Sequence, residues 1–488
     1  MFSSTKDTST TARPSRPEEV APSGGNGQPA AFGLRFTLPL MLGTTLNPIN
    51  SSMIATGLAG IAADFRLGPG TAANLVSVLY LCSAVMQPTM GKLSTLFGPR
   101  RVFLLGVAIL LLGGAIGGSA ESFAMLLLSR ALIGVGTSAC YPTAMAIVRR
   151  RADRLGVGVP SRVLGDFSIA SQITVVFGLP IGGVLAGAFG WRGLFWVNVP
   201  LAAAVLITAF FTVDKDTRDA GSAQDGPGRL SALDLPGIGL FAAAVVTLLL
   251  FLGDFKHPRW WELGAAVVLT TLLVWCERRS RSPLIDVRML AGNAALQRTY
   301  LRQLIVGLGI YTSLYATSQW MEDVGGYSAG QVGVVLLPMS IVSIVLARLA
   351  SNRGWLRWPL ILGAGDGAAA GVLMLGIHDG SSVILLLGTA ALFGITNGLS
   401  NFANQTTLYA QAPGATVAVA AGLFRTFGYI GAIFSSSLIS ISFGAHTSDA
   451  GLHRLAWAVV AIGVASLLMV LFDRTIPATA SSAEPAVA

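Results

Sequence analysis

Fourteen apolar stretches, each near the length that crosses a bilayer, follow one another along this chain and dominate what it can become. They run at about 36–62, 72–95, 101–120, 123–147, 164–188, 192–213, 235–253, 259–276, 300–321, 330–349, 357–377, 381–403, 414–442 and 452–472. A hydrocarbon core needs about 20 such residues per helix. In lipid each backbone N–H and C=O must be satisfied within the segment, so spans of this kind form helices. The eighth is the shortest, with only the interval between Glu262 and Glu277 free of charge, and it relies on Trp260 and Trp261 as interfacial anchors. The chain is 53% hydrophobic, 11% charged and +0.68 in mean hydropathy. A water-soluble domain carries about 25% charge, so lipid is the solvent these numbers demand.

Several function classes are excluded. The net charge of +9 is spread in short runs between apolar spans, which marks membrane topology and not nucleic-acid binding. No GxxxxGK[ST] loop is present, which disfavours an ATP-driven pump. Cys82, Cys140 and Cys276 lack CxxC spacing and read as small buried hydrophobes, and the four histidines sit at loops without a ligand pair. No metal, cofactor or enzymatic centre is expected.

Charge sets the topology. With the N-terminus inside, 24 of the 32 Lys and Arg fall on inner loops and tails, five on outer loops, and Arg130, Arg302 and Arg425 within spans. Both termini are therefore expected in the cytoplasm, with the protein in the inner membrane. The expected plan is a disordered tail (1–31), a six-helix bundle (32–213), a linker carrying two additional spans (214–299), a second six-helix bundle (300–474) and a tail (475–488). A faint repeat links the halves: Leu93, Gly98 and Arg101 share their spacing with Leu349, Gly354 and Arg357. Repeated halves with a site between them are a common transporter plan.

Motifs then accumulate in order. They are Gly91-Lys-Leu93-Ser-Thr95-Leu-Phe-Gly98-Pro99-Arg100-Arg101, then Arg130 with Gly134 and Gly136, then Gly178-Leu-Pro180-Ile-Gly182-Gly183, and then Trp191-Arg192-Gly-Leu-Phe195-Trp-Val-Asn198-Val-Pro200. Later come Pro283-Leu-Ile-Asp286-Val-Arg288, the run from Gly326 to Gly333 with Leu337-Pro338, and Arg425-Thr-Phe-Gly428-Tyr-Ile-Gly431. From about residue 36 to 473 the chain resembles the fourteen-helix drug:proton antiporter branch of the major facilitator superfamily. The resemblance implies an all-helical fold of six, two and six spans and secondary active export by alternating access. It also implies a multidrug-efflux or antibiotic-resistance role, with a small-molecule substrate, protons and membrane lipids as partners, and a monomer. The family usually carries an acid where Thr95 stands, a basic residue where Pro99 stands, and an aspartate in the first span where this chain reads Leu46-Asn47-Pro48-Ile-Asn50-Ser51-Ser52. The coupling scheme usual in the branch therefore does not carry over directly.

Candidate site residues follow. Gly178, Pro180, Gly182 and Gly183 would form a close, bendable seam, and Gly91, Gly98, Arg100 and Arg101 an inner-loop motif. Arg130 lies roughly 13 Å deep at 1.5 Å per residue, and an intramembrane charge marks a functional site, with structural pairing to carbonyls and amides of neighbouring helices as the alternative. Arg425 enters the thirteenth span to a similar depth, with a packing role beside Gly428 and Gly431 as the alternative, and Arg302 is expected to snorkel to lipid phosphates. Asn47, Asn50, Gln319, Asn397 and Asn401 head the polar residues of a wet pocket. Asp366, the only acid deep in a span, and Asp166, expected to pair with Arg162, are the candidates for protonation; the resemblance implies that the helix of Asp366 faces away from the central cavity, and a neutral, hydrogen-bonded acid is the alternative for it. Two arginines and no acid facing the pocket point to a neutral or anionic amphiphile. Uptake by symport, or a lipid-translocating or sensor protein on the same fold, stays open at this point.

Overall fold

The computed structural model describes residues 32–67, 69–216, 234–253, 258–280, 282–444 and 446–479. Among these residues fourteen long helical segments cross the body. They are α1 (Leu34–Met53, continued through a 3-10 turn at Ile54–Gly57 and a helix at Leu58–Asp64), α2 (Pro69–Phe97), α3 (Pro99–Gly118), α4 (Phe123–Arg154), α5 (Ser161–Trp196), α6 (Asn198–Thr212) and α7 (Leu235–Gly253). There follow α8 (Trp260–Arg279), α9 (Ala294–Asp323), α10 (Ala329–Arg353), α11 (Arg357–Met374), α12 (Val383–Gln411), α13 (Val417–Phe443) and α14 (Asp449–Phe472). A short helix, Val287–Gly292, precedes α9.

The sequence marks the starts and stops. Side chains of Ser122, Asn293, Ser382 and Ser448 accept backbone N–H groups at the starts of α4, α9, α12 and α14, and Ser328 with Gln331 forms a capping box on α10. Gly190, at φ 65°, breaks α5 where the chain turns toward α6. The shared spacing of the two halves has a structural counterpart: Gly98 (φ 95°) turns α2 into α3, and Gly354 (φ 63°) turns α10 into α11.

Packing repeats likewise. α4 lies against α1, α2 and α3, as α12 lies against α9, α10 and α11; α1 packs on α5 as α9 packs on α13, and α3 on α6 as α11 on α14. The inserted α7–α8 hairpin packs as a pair, with α7 against α2 and α13. In the eighth span, Trp260 and Trp261 are each 66% exposed, and Glu262 is buried and paired with Arg259 at 3.1 Å.

One end of the bundle carries the corners α2–α3, α4–α5, α10–α11 and α12–α13 together with Arg100, Arg101 and Arg149 to Arg151; we call it the basic end, and the other the far end. The two halves touch through α2 on α13, α5 on α10, α4 on α13 and α12 on α5. The expected tail at 475–488 is corrected at its start: Ile476 is buried against Leu360 and Phe402, and Ala478 accepts the Leu356 N–H at 3.1 Å. An apolar isoleucine with a core pocket beside it orders those residues. The expected tail at 1–31 and most of the linker before α7 lie outside the described residues.

Candidate functional site

Pro48 lies within α1 between two asparagines, Asn47 and Asn50, and both asparagines are buried. Asn47 donates to Ser83 Oγ on α2 (2.9 Å) and to Thr137 Oγ1 on α4 (2.8 Å). Its Oδ1 accepts from the Tyr429 hydroxyl on α13 (2.9 Å), which in turn accepts from Gln87 Nε2 on α2 (3.1 Å). Asn47 thus stands where three helices of one half meet a helix of the other. Asn50 donates to Asn198 Oδ1 on α6 (2.6 Å) and to the Leu46 carbonyl. Asn198 was visible only as part of a motif. Tyr429 likewise stood only inside the motif from Arg425 to Gly431 and was not singled out, because a lone tyrosine in an apolar span reads as core.

Arg130 is 1% exposed. Its Nε donates to the Leu75 carbonyl (3.0 Å), and both terminal nitrogens reach the Asn50 carbonyl (3.4 Å). Its hydrogen bonds go to carbonyls and fix α1 and α2 around α4, which makes Arg130 a strut beside the asparagines.

Arg425 is placed differently. Its guanidinium lies 4.0 Å from the centroid of the Tyr141 ring, and its buried Nε has no hydrogen-bond partner among the described residues. Tyr80 and Tyr429 pair at 5.7 Å between centroids, as do Tyr311 and Tyr315. Tyr315 is 42% exposed. Charge, π-faces and phenols thus gather where α2, α4, α9 and α13 approach one another, and they suit a polarisable or anionic guest.

From this level to the basic end the halves are closed. Thr426 donates to the Ala84 carbonyl (2.7 Å), and Tyr409 to the Met145 carbonyl (2.7 Å). A Cβ at Gly91 would lie 2.6 Å from the Ala418 carbonyl oxygen, and one at Gly422 would lie 2.6 Å from the Gln87 backbone. These glycines are the seam between halves. The Gly178 and Gly182 seam is internal to one half: their Cβ positions meet Ser52, Met53 and Thr56 of α1, and nothing lies within 4 Å of a Cβ at Gly183. Pro180 lies in α5, but its side chain is outside what the structure describes. Toward the far end, Phe177 and Val184 of α5 and Val334 and Ile341 of α10 are exposed, although the basic-end portions of these helices pack together.

Several expected placements are corrected. Asp166 pairs with Arg348 of the other half, because α5 faces α10 there and Arg162 does not reach it. Beside it Ser351 donates to the Ser161 carbonyl (3.0 Å). Arg302 does not snorkel. It is fully buried, donates to Asn404 Oδ1 (2.5 Å) and Thr299 Oγ1 (3.0 Å), and lies 3.6 Å from Asp473. Gln319 is exposed near the far end and bonds Thr447. Asn401 donates to Asn397 along α12 (2.5 Å to Oδ1). Asp366, by contrast, sits where the resemblance places its helix: it accepts from the Thr396 hydroxyl (2.8 Å) between α11 and α12, away from the junction of halves. In the loop motif, Asp216 from beyond α6 accepts the Arg100 and Arg101 N–H groups (3.2 and 3.1 Å) and lies 3.6 Å from Arg150. It supplies the acid that position 95 lacks.

The family model described as the Major Facilitator Superfamily matches residues 40–436. The chain is 32% identical to the uncharacterized MFS-type transporter YwoD of Bacillus subtilis, over 91% of this chain and 98% of that one. It is 28% identical to the cephamycin export protein CmcT of Amycolatopsis lactamdurans, over 90% of this chain and 91% of that one. Among solved structures, the human organic anion transporter MFSD10 superposes with a TM-score of 0.65 at 14% identity, covering 89% of this chain and 99% of that one. At that identity the likeness concerns the fold.

Proposed function

This chain belongs to the Major Facilitator Superfamily, and from that premise we propose that it is an exporter of the fourteen-helix drug:proton antiporter branch, carrying a neutral or anionic lipophilic small molecule. It is a multi-pass membrane transporter and not an enzyme. We place it in the inner membrane, as a monomer, with the basic end in the cytoplasm. The end at which the halves are closed then faces inward.

One observation carries the reading. The hydrogen bond between Tyr429 and Asn47 joins the halves at mid-depth, and the polar groups around it are amides, phenols and Arg425. A neutral or anionic guest finds hydrogen bonds and a counter-charge there, whereas an organic cation meets an unpaired guanidinium nitrogen. Guest binding competes for the Gln87–Tyr429–Asn47 bonds. The halves can then exchange one closed end for the other around a fixed centre. The export relatives, CmcT among them, support the direction of transport. The inward proton that resets the cycle is part of the proposal.

Everted vesicles with an acidified interior test it. Adding a neutral or anionic amphiphile should raise the interior pH as substrate moves in and protons leave. Co-movement of substrate and proton would mean symport, and lipid flip without proton flux a lipid-translocating protein. Export of ethidium-type cations with no export of anionic or neutral amphiphiles would overturn the substrate assignment.

A further inference from the structure

We propose that Asp234 and Glu277 form a two-carboxyl site that binds a single proton, and that this proton clasps the α7–α8 hairpin to the α2–α3 corner through Lys92. Glu277 lies in the last turn of α8 and is 3% exposed; among the described residues neither carboxylate oxygen has a well-formed hydrogen bond, and the Leu284 and Ile285 N–H groups are the backbone donors that act on it. Asp234 immediately precedes α7 and is 8% exposed. Its Oδ1 accepts the Gly237 N–H (2.9 Å), and its Oδ2 has no donor. The two groups converge on one point: a Cβ at Gly237 would stand 2.6 Å from Glu277 Oε1 and 2.8 Å from Asp234 Oδ2. Glycine is the residue that leaves this space to the carboxyls.

The surrounding charges decide what fills the site. From α2, Lys92 donates to the Pro283 carbonyl (2.7 Å) and is within electrostatic reach of Asp234, Glu277 and Asp286. Asp286 is exposed and caps the helix that follows it. Arg288 turns away to the Arg278 carbonyl, Arg278 is exposed, and Arg279 lies over Trp275. Among the described residues the Cys276 thiol is the remaining titratable neighbour. Among the described residues, one half-buried ammonium against two converging carboxylates leaves one negative charge uncompensated. A proton taken from water at the basic end removes it. The new O–H of one carboxyl donates to the facing carboxylate oxygen, which satisfies an orphan on each side, and the single remaining charge pairs with Lys92. An ammonium already in place argues against a metal cation.

Lys92 follows Gly91, which packs on the Ala418 backbone at the closed end of the molecule. Losing the shared proton would restore the uncompensated charge, part the foot of the hairpin and free the corner that closes against α13. This consequence for transport rests on the exporter reading, but the site itself does not.

Infrared difference titration of the purified full-length protein tests the site. A protonated-carboxyl band should ionise near neutral pH, be absent in both Glu277→Gln and Asp234→Asn, and persist in Glu277→Asp. Hydrogen exchange tests the clasp: corrected for intrinsic rates, protection at 283–288 should rise from about pH 8 to about pH 6 in the natural chain and stay high at both in Glu277→Gln. The proposal is overturned if the band survives both neutral substitutions, or if Glu277→Gln leaves the pH dependence of protection unchanged. If vesicles show no export while both signals appear, the exporter reading fails and the site stands.

Discussion

Arg130 and Arg425 are the same residue type at similar depth, and their surroundings give them opposite work. Arg130 spends its N–H groups on the carbonyls of Leu75 and Asn50. Arg130→Gln should therefore lower stability by about 2–4 kcal/mol and abolish transport with it, read as thermal unfolding of purified protein beside flux. Arg425 has an orphan Nε and an aromatic neighbour. Arg425→Gln should cost under about 2 kcal/mol of stability and reduce flux of an anionic substrate roughly 10- to 100-fold, as loss of one charge-assisted bond implies. Flux of a neutral substrate should change little. Equal losses for both substrates would remove Arg425 from substrate recognition. Asp473, just past α14, adds a pH dependence. Burial alone would raise its carboxyl, but bonds from Thr475 and Arg298 outweigh it and hold it below the ordinary value. Its stabilisation is thus full above the ordinary carboxylate range near pH 4 and is lost as pH falls through the depressed value. Asp473→Asn should be less stable at neutral pH and lack that acid-side step in a melting profile. The depth of each arginine was legible in the sequence. Its partners were not, because carbonyls and ring faces are brought by other helices, and Arg302 turned inward for the same reason: Asn404 and Asp473 were waiting beside it.

At the scale of helices, glycines decide which surfaces can touch. Gly422 faces the Gln87 and Pro88 backbone of the other half, with 2.6 Å to a Cβ, whereas a Cβ at Gly183 meets nothing within 4 Å. Gly422→Ala should wedge α13 from α2, and a thiol introduced near the basic-end closure should react faster with a water-soluble reagent. Gly183→Ala should leave that rate unchanged. Identical rates in the two variants would contradict the assignment of the seam. The glycine–proline run of α5 was plain in the sequence, but its neighbour was not: Gly178 and Gly182 fit α1 and leave the partner half to other residues. Spans and corners are legible because lipid imposes length and apolarity on each segment separately. Contacts between segments depend on rotation about each helix axis, which apolar residues on every face do little to reveal.

For the whole molecule, the account is two six-helix bundles meeting at the Asn47–Tyr429 level, shut from there to the basic end. The repeat that was faint in sequence is distinct in packing, since α2–α4 and α10–α12 correspond, as do α1–α5 and α9–α13. Alternating access requires the two ends to change in opposite senses. The measurement that bears on this most directly is a pair of spin-label distances in lipid, one between the far ends of α5 and α10 at Val184 and Val334, the other between their basic ends at Arg162 and Arg353. On adding a transported amphiphile, the far-end distance should shorten and the basic-end distance lengthen in the same preparation. Distances that move together, or that ignore a substrate the protein carries, would contradict it.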